Sequence, residues 1–166
     1  EANVFRGFDD DPYKNVLLRV SQEVAPAFRV GAFGFLGKER PDETVNSVTM
    51  YGGDATLAVK PFELNVQYVE RRDTNPYFAT ILPIEKVMTR GAFAELIYLP
   101  KGDDSRWYGA GLFNWVDSDQ IDLRYSAATA HVGYLLRRNV RVTAEATYAF
   151  RGLYGEHLRL GTGLIF

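Results

Sequence analysis

The stretch Val140-Arg141-Val142-Thr143-Ala144-Glu145-Ala146-Thr147-Tyr148-Ala149-Phe150-Arg151 alternates almost without a break. Val140, Val142, Ala144, Ala146, Tyr148 and Phe150 fall on one phase. Arg141, Thr143, Glu145, Thr147 and Arg151 fall on the other, interrupted only by Ala149. Strand residues two apart point the same way, so the segment predicts a strand with one apolar and one polar side.

The period of two recurs outward from there, and no segment shows a helical period. Ala128, Ala130, Val132, Tyr134 and Leu136 oppose Thr129, His131 and Arg137. Ala92, Ala94, Leu96 and Tyr98 oppose Glu95. Phe62, Leu64, Val66 and Tyr68 oppose Glu63, Asn65, Gln67 and Arg71. Tyr51, Ala55, Leu57 and Val59 oppose Asp54, Thr56 and Lys60. Val16, Leu18 and Val20 oppose Asn15, Arg19, Ser21 and Glu23. Two strands are less clean: Phe28–Leu36 carries Phe33 and Phe35 on its polar side, and Trp107–Trp115 is apolar on both, leaving its phase open. With the closing segment this makes nine strands in one all-β domain over residues 1–166. The expected topology is an antiparallel up-and-down meander.

The connections differ by end. Tight ones fall at Ala25-Pro26, Lys60-Pro61 and Arg138-Asn139, with a slightly longer one at Pro100–Ser105. The others fall at Arg40–Ser47, Thr74–Lys86, Asp117–Gln120 and Gly152–Tyr154, and the two long loops belong to this set. Short turns at one end and long loops at the other are the asymmetry of transmembrane β-barrels. The Thr74–Lys86 loop is unusually apolar over Pro76–Ile84, which suits a constriction at a barrel mouth, a partner contact or packing on its own rim.

Alternation alone does not say whether the apolar face meets a core or lipid. Aromatic placement favours lipid. Phe28, Phe62, Tyr98, Trp107 and Tyr134 lie near the short-turn end, and Tyr51, Tyr68, Trp115, Tyr148 and Phe150 near the long-loop end. Trp107 and Trp115 stand about eight residues apart, which at ~3.3 Å per residue and a tilt near ~40° spans roughly 20 Å of membrane thickness. Aromatic rings favour the lipid–water boundary.

Composition narrows the function classes. The chain has 166 residues and a net charge of -2, against a nucleic-acid partner. It has no cysteine, which excludes disulfides, thiolate chemistry and covalent c-type haem. No apolar run reaches the roughly 20 residues that a membrane helix needs. The first residue is Glu1 and no signal-like segment follows it, which is read as removal of a leader or as an internal fragment. Gly31, Gly34 and Gly37 sit inside a strand pattern with no helix after them, so they are read as packing glycines rather than a nucleotide loop. No catalytic constellation surrounds His131 or His157, so an enzyme is not expected, nor a cofactor or metal. Ser126 lies across a phase break from His131.

The chain closes Leu158-Arg159-Leu160-Gly161-Thr162-Gly163-Leu164-Ile165-Phe166. This resembles the last strand of bacterial outer-membrane β-barrel (porin-like) proteins, which carries a terminal aromatic with apolar residues at alternate positions before it. Phe166, Leu164, Leu160 and Leu158 fit; Thr162 interrupts the stripe, and Leu164 stands where the family usually has a second aromatic. The resemblance implies an outer-membrane location and a C-terminal strand read by the insertion machinery, with Phe166 as the signal. It also implies a periplasmic short-turn end.

Counting back from a last strand that runs toward the periplasm, Asn15–Val24 must run the same way, so something precedes it. Glu1–Phe8 with Asp9–Lys14 as a loop would make ten strands, the first one stunted. The preferred reading is the C-terminal portion of a larger barrel, with an intact ten-stranded barrel as the alternative.

Charges on a lipid-facing strand are costly, so the polar face should line a lumen. The expected lumen residues are Arg19, Glu23, Asp54, Lys60, Glu63, Arg71, Glu95, His131, Arg141, Glu145 and Arg159. A turn centred on Arg138 would set His131 opposite Glu145. The expected function is a porin-like passage for small polar solutes or ions. The alternative is a structural sheath holding a protein, such as a multihaem cytochrome, across the membrane. Partners would be outer-membrane lipid, the insertion machinery and a periplasmic or lumen-held protein.

Overall fold

The computed structural model describes residues 13–40, 44–81, 85–137 and 140–166. Nine strands follow one another: β1 (Val16–Ala25), β2 (Phe28–Glu39), β3 (Asn46–Val59), β4 (Phe62–Asp73), β5 (Val87–Tyr98), β6 (Trp107–Ser118), β7 (Tyr125–Arg137), β8 (Val140–Arg151) and β9 (His157–Ile165). Each pairs antiparallel with the next, giving one sheet in the order β1 to β9. The expected all-β meander is what forms. The sheet is not closed: β1 and β9 are its two edges.

Local chemistry sets the strand ends. β1 meets β2 through a turn at Pro26-Ala27, and β3 meets β4 at Lys60-Pro61, a cis peptide bond. Proline has no N–H to give the ladder, so both pairs stop there. The expected turn at Arg138-Asn139 lies outside the described residues. Between β5 and β6 a single 3₁₀ turn, Gly102–Asp104, fills part of a longer connection. A second 3₁₀ turn, Ile121–Leu123, links β6 to β7. The strands overrun their expected bounds: β2 continues past Leu36 to Glu39, and β7 starts at Tyr125. The stunted strand expected over Glu1–Phe8, and Leu82 to Ile84 of the apolar loop, lie outside the described residues.

The register fixes two faces, because residues directly opposite in neighbouring strands share a side. One row runs Phe28, Leu57, Leu64, Leu96, Gly111, Ala130, Ala146, Leu160, from β2 to β9, with no polar member. Phase is settled for β6, where Trp107, Gly109, Gly111, Phe113 and Trp115 join this apolar face. The break suspected near Ser126 is a register shift between Ser126 and Ala127.

Neither face is covered. Among the described residues the buried hydrophobics are Val48, Val87, Ala127 and Ala149 alone, while Leu160 is 76% exposed and Trp107 43%. An amphipathic sheet normally buries its apolar face against another layer; here the described residues supply no such layer. No helix among them is long and apolar enough to cross a membrane, which says nothing about strands.

Candidate functional site

The face opposite the apolar rows carries the expected polar residues. Its most complete row crosses all nine strands: Glu23, Arg29, Thr56, Asn65, Glu95, Leu112, Thr129, Thr147, Arg159. Only Leu112 is apolar. Side chains link along the row. Arg29 donates to Thr56 at 3.5 Å, Thr56 to Asn65 at 2.9 Å, and Asn65 to Glu95 at 3.3 Å. The Thr129 and Thr147 hydroxyls share a bond of 2.9 Å. Cross-strand polar pairs of this kind are the unit of sheet stabilisation, each worth roughly 0.2–1 kcal/mol.

A second group spans β6 to β8. His131 lies opposite Glu145, with Nδ1 3.4 Å from Oε2, and its Nε2 is 3.0 Å from the Tyr108 hydroxyl. The Arg141 guanidinium stacks over the Tyr108 ring at 5.4 Å. The ring itself lies on Gly133, where an added Cβ would collide with it. Glu95, Thr129, His131 and Glu145 border a concavity of about 280 Å³ floored by Ala110 and Leu112.

A third group joins strands that are not neighbours. Arg19 on β1 donates to Asp54 on β3 at 2.8 Å. The bond passes over Gly31 of β2, where an added Cβ would come within 2.7 Å of the Asp54 carboxylate. A side chain at position 31 would have to displace the Asp54 carboxylate.

At the long-loop end, Arg71 binds Asp73 through Nε and Nη2 at 2.7 and 2.8 Å. Asn46, only 1% exposed, donates to Asp73 at 2.8 Å and accepts from the backbone N–H groups of Thr74 and Asn75. Asn75 in turn brackets Ala79 through both its amide atoms. The root of the β4–β5 loop is therefore pinned by side chains. Farther along, Tyr77 meets Gln120, and Thr44 donates to the Phe78 carbonyl at 3.2 Å. The described part of this loop rests on the neighbouring connections.

Register thus places Arg19, Glu23, Asp54, Glu63, Arg71, Glu95, His131, Arg141, Glu145 and Arg159 on one face. Lys60 is the exception. It lies in the β3–β4 turn beside Gly102, because Pro61 ends the strand before it. Phe33 and Phe35 are on the polar face as the alternation suggested, and Phe33 lies against Gly52.

One cluster was not anticipated. Glu70, Arg72 and Arg90 lie on the apolar face, beyond Tyr68 and Ala92 toward the long loops. Glu70 accepts from the Tyr51 hydroxyl at 2.6 Å, Tyr68 at 3.2 Å, Arg72 Nε at 2.7 Å and Arg90 Nε at 3.2 Å. Glu70-Arg71-Arg72 directly follows the last aromatic of β4, but alternation alone does not show that the strand runs on through them.

The aromatics expected in two rows all share the apolar face. Phe62, Tyr98 and Trp107 touch in sequence at 5.0 and 5.5 Å between centroids, and Phe113, Phe150 and Tyr148 form a chain at 6.5 and 5.1 Å. No group of three or more His, Asp or Glu that could hold a metal occurs among the described residues. Comparison with known protein families, curated proteins and solved structures found no match.

Proposed function

We propose that this chain forms part of the wall of an outer-membrane β-barrel, with the polar face lining an aqueous passage for small polar solutes or ions. The observation that carries the reading is the contrast between two register rows. One runs from Phe28 to Leu160 with no polar member; the other runs from Glu23 to Arg159 with one apolar member. A sheet with an uncovered apolar face is at odds with water, since large exposed apolar patches mark interaction or membrane surfaces. Lipid satisfies one face and a wet lumen the other. In such a wall the free edges of β1 and β9 must be paired, because unpaired edge groups are not tolerated in hydrocarbon.

A second reading, a sheath around a protein partner, is favoured by the apolar residues of the inner face. Phe33, Phe35, Ile97 and Leu112 would suit a packed filling better than a stream of water.

The test uses single cysteines at Ala144 and Thr143, neighbours on opposite faces of β8, each carrying a lipid-quenchable fluorophore. Quenching at Ala144 and none at Thr143 is expected. Equal quenching at both, or stronger quenching at Thr143, overturns the membrane reading. Steady conductance in planar bilayers without any partner separates the passage from the sheath.

A further inference from the structure

We propose that Arg72 and Arg90, held by Glu70, form a site on the outward face for the phosphate of an anionic lipid headgroup. The proposal rests on the membrane reading above.

Position comes first. Tyr68, Ala92 and Trp115 share one register row of the apolar face. Tyr51, Glu70, Arg90 and Asp117 form the next row toward the long loops, and Arg72 stands one row farther. Aromatic rings mark the boundary of the hydrocarbon. Charges on a barrel's outer face become tolerable only near that boundary. Headgroup phosphates lie at this level.

Preorganisation comes second. The Glu70 side chain is only 7% exposed, while those of Arg72 and Arg90 are 58% and 40% exposed. The carboxylate binds guanidiniums from two adjacent strands. Its bonds engage Nε and Nη2 of Arg72 and Nε of Arg90. A guanidinium carries five donors in a planar fork, so neither is exhausted by the carboxylate. Arg72 also lies over the Tyr51 ring at 5.8 Å, which fixes its plane.

Charge comes third. One carboxylate between two guanidiniums leaves the cluster with a surplus positive charge. Asp117, the register partner of Arg90, has its own cation in Arg124 at 3.5 Å. A phosphate monoanion answers the surplus, and the fork of arginine matches its oxygens.

Trp115 reports on the site because it sits one row inside it. With Trp107→Phe it is the sole tryptophan. The full chain is reconstituted in vesicles containing equal mole fractions of either brominated-chain phosphatidylglycerol or brominated-chain phosphatidylcholine. The expected result is at least twofold stronger quenching of Trp115 by the phosphatidylglycerol. The preference should vanish in Arg72→Gln/Arg90→Gln and persist, weakened, in Arg72→Lys/Arg90→Lys. Unchanged quenching by the phosphatidylcholine in both variants verifies that they are seated in the membrane. Equal quenching by the two lipids in the parent protein, or a preference that survives the glutamine pair, overturns the site and leaves the membrane reading intact. Removal of the preference by inorganic phosphate at constant ionic strength assigns the cluster to a soluble ion and overturns the lipid. Absence of quenching by either lipid overturns the membrane reading and the site with it.

Discussion

His131 and Glu145 face each other across β7 and β8, with Nδ1 3.4 Å from Oε2, and Tyr108 closes the other side of the imidazole. The Glu145 side chain is 53% exposed, so water screens the pair. Glu145→Gln should therefore lower stability by less than about 1 kcal/mol. The midpoint of denaturant unfolding checks this. A loss of about 3 kcal/mol would mean a desolvated pair and a dry interior.

Gly133→Ala places a methyl group where the Tyr108 ring lies, and it should cost about 1–3 kcal/mol through overpacking. Gly111→Ala, which meets nothing within 4 Å, should be neutral or gain up to about 1 kcal/mol. In a Tyr108→Ala background the Gly133 penalty should largely disappear, a coupling that a double-mutant cycle measures.

Asn46→Ala removes the buried amide that serves Asp73 and two backbone N–H groups. Each buried group left unsatisfied costs about 1–3 kcal/mol. Hydrogen exchange at Thr74 and Asn75 should quicken first, with the far ends of β4 and β5 unaffected. Uniform quickening along both strands would show that Asn46 supports the whole sheet rather than the loop root.

Phe166 is 93% exposed and contributes little packing to the sheet. Phe166→Ala should change folded stability by no more than about 0.5 kcal/mol. If the closing strand is read as an insertion signal, yield in the outer membrane should still fall several-fold. Unchanged yield in cells would remove that role from Phe166.

The strand phases and the His131–Glu145 register were legible in the sequence because each follows from short-range rules. Alternation assigns a face, and the sum of 276 expected from a turn centred on Arg138 holds from Leu135–Arg141 inward, reached through a register shift after the closing pair Arg137–Val140. The phase of Trp107–Trp115 was not legible, since both its sides are apolar and only pairing with β7 distinguishes them. Lys60 kept the parity of a strand residue, but Pro61 had already ended the ladder. Glu70, Arg72 and Arg90 escaped notice for a different reason. Alternation gives the side a residue faces but not how far a strand continues past the apolar band, and β3 to β5 all continue. The Arg19–Asp54 bond skips a strand, and no pairing rule foresees a contact that depends on a missing side chain at Gly31.

Tyr108 over Gly133 and Phe33 against Gly52 give the polar face its relief. A ring laid along the backbone lies flat on the sheet instead of standing out from it. The glycines therefore act as recesses that keep the polar face low while the sheet gains the contacts of an aromatic brace. Filling one of these recesses would lift a neighbour's ring off the sheet, although the substituted residue itself gains only a methyl group.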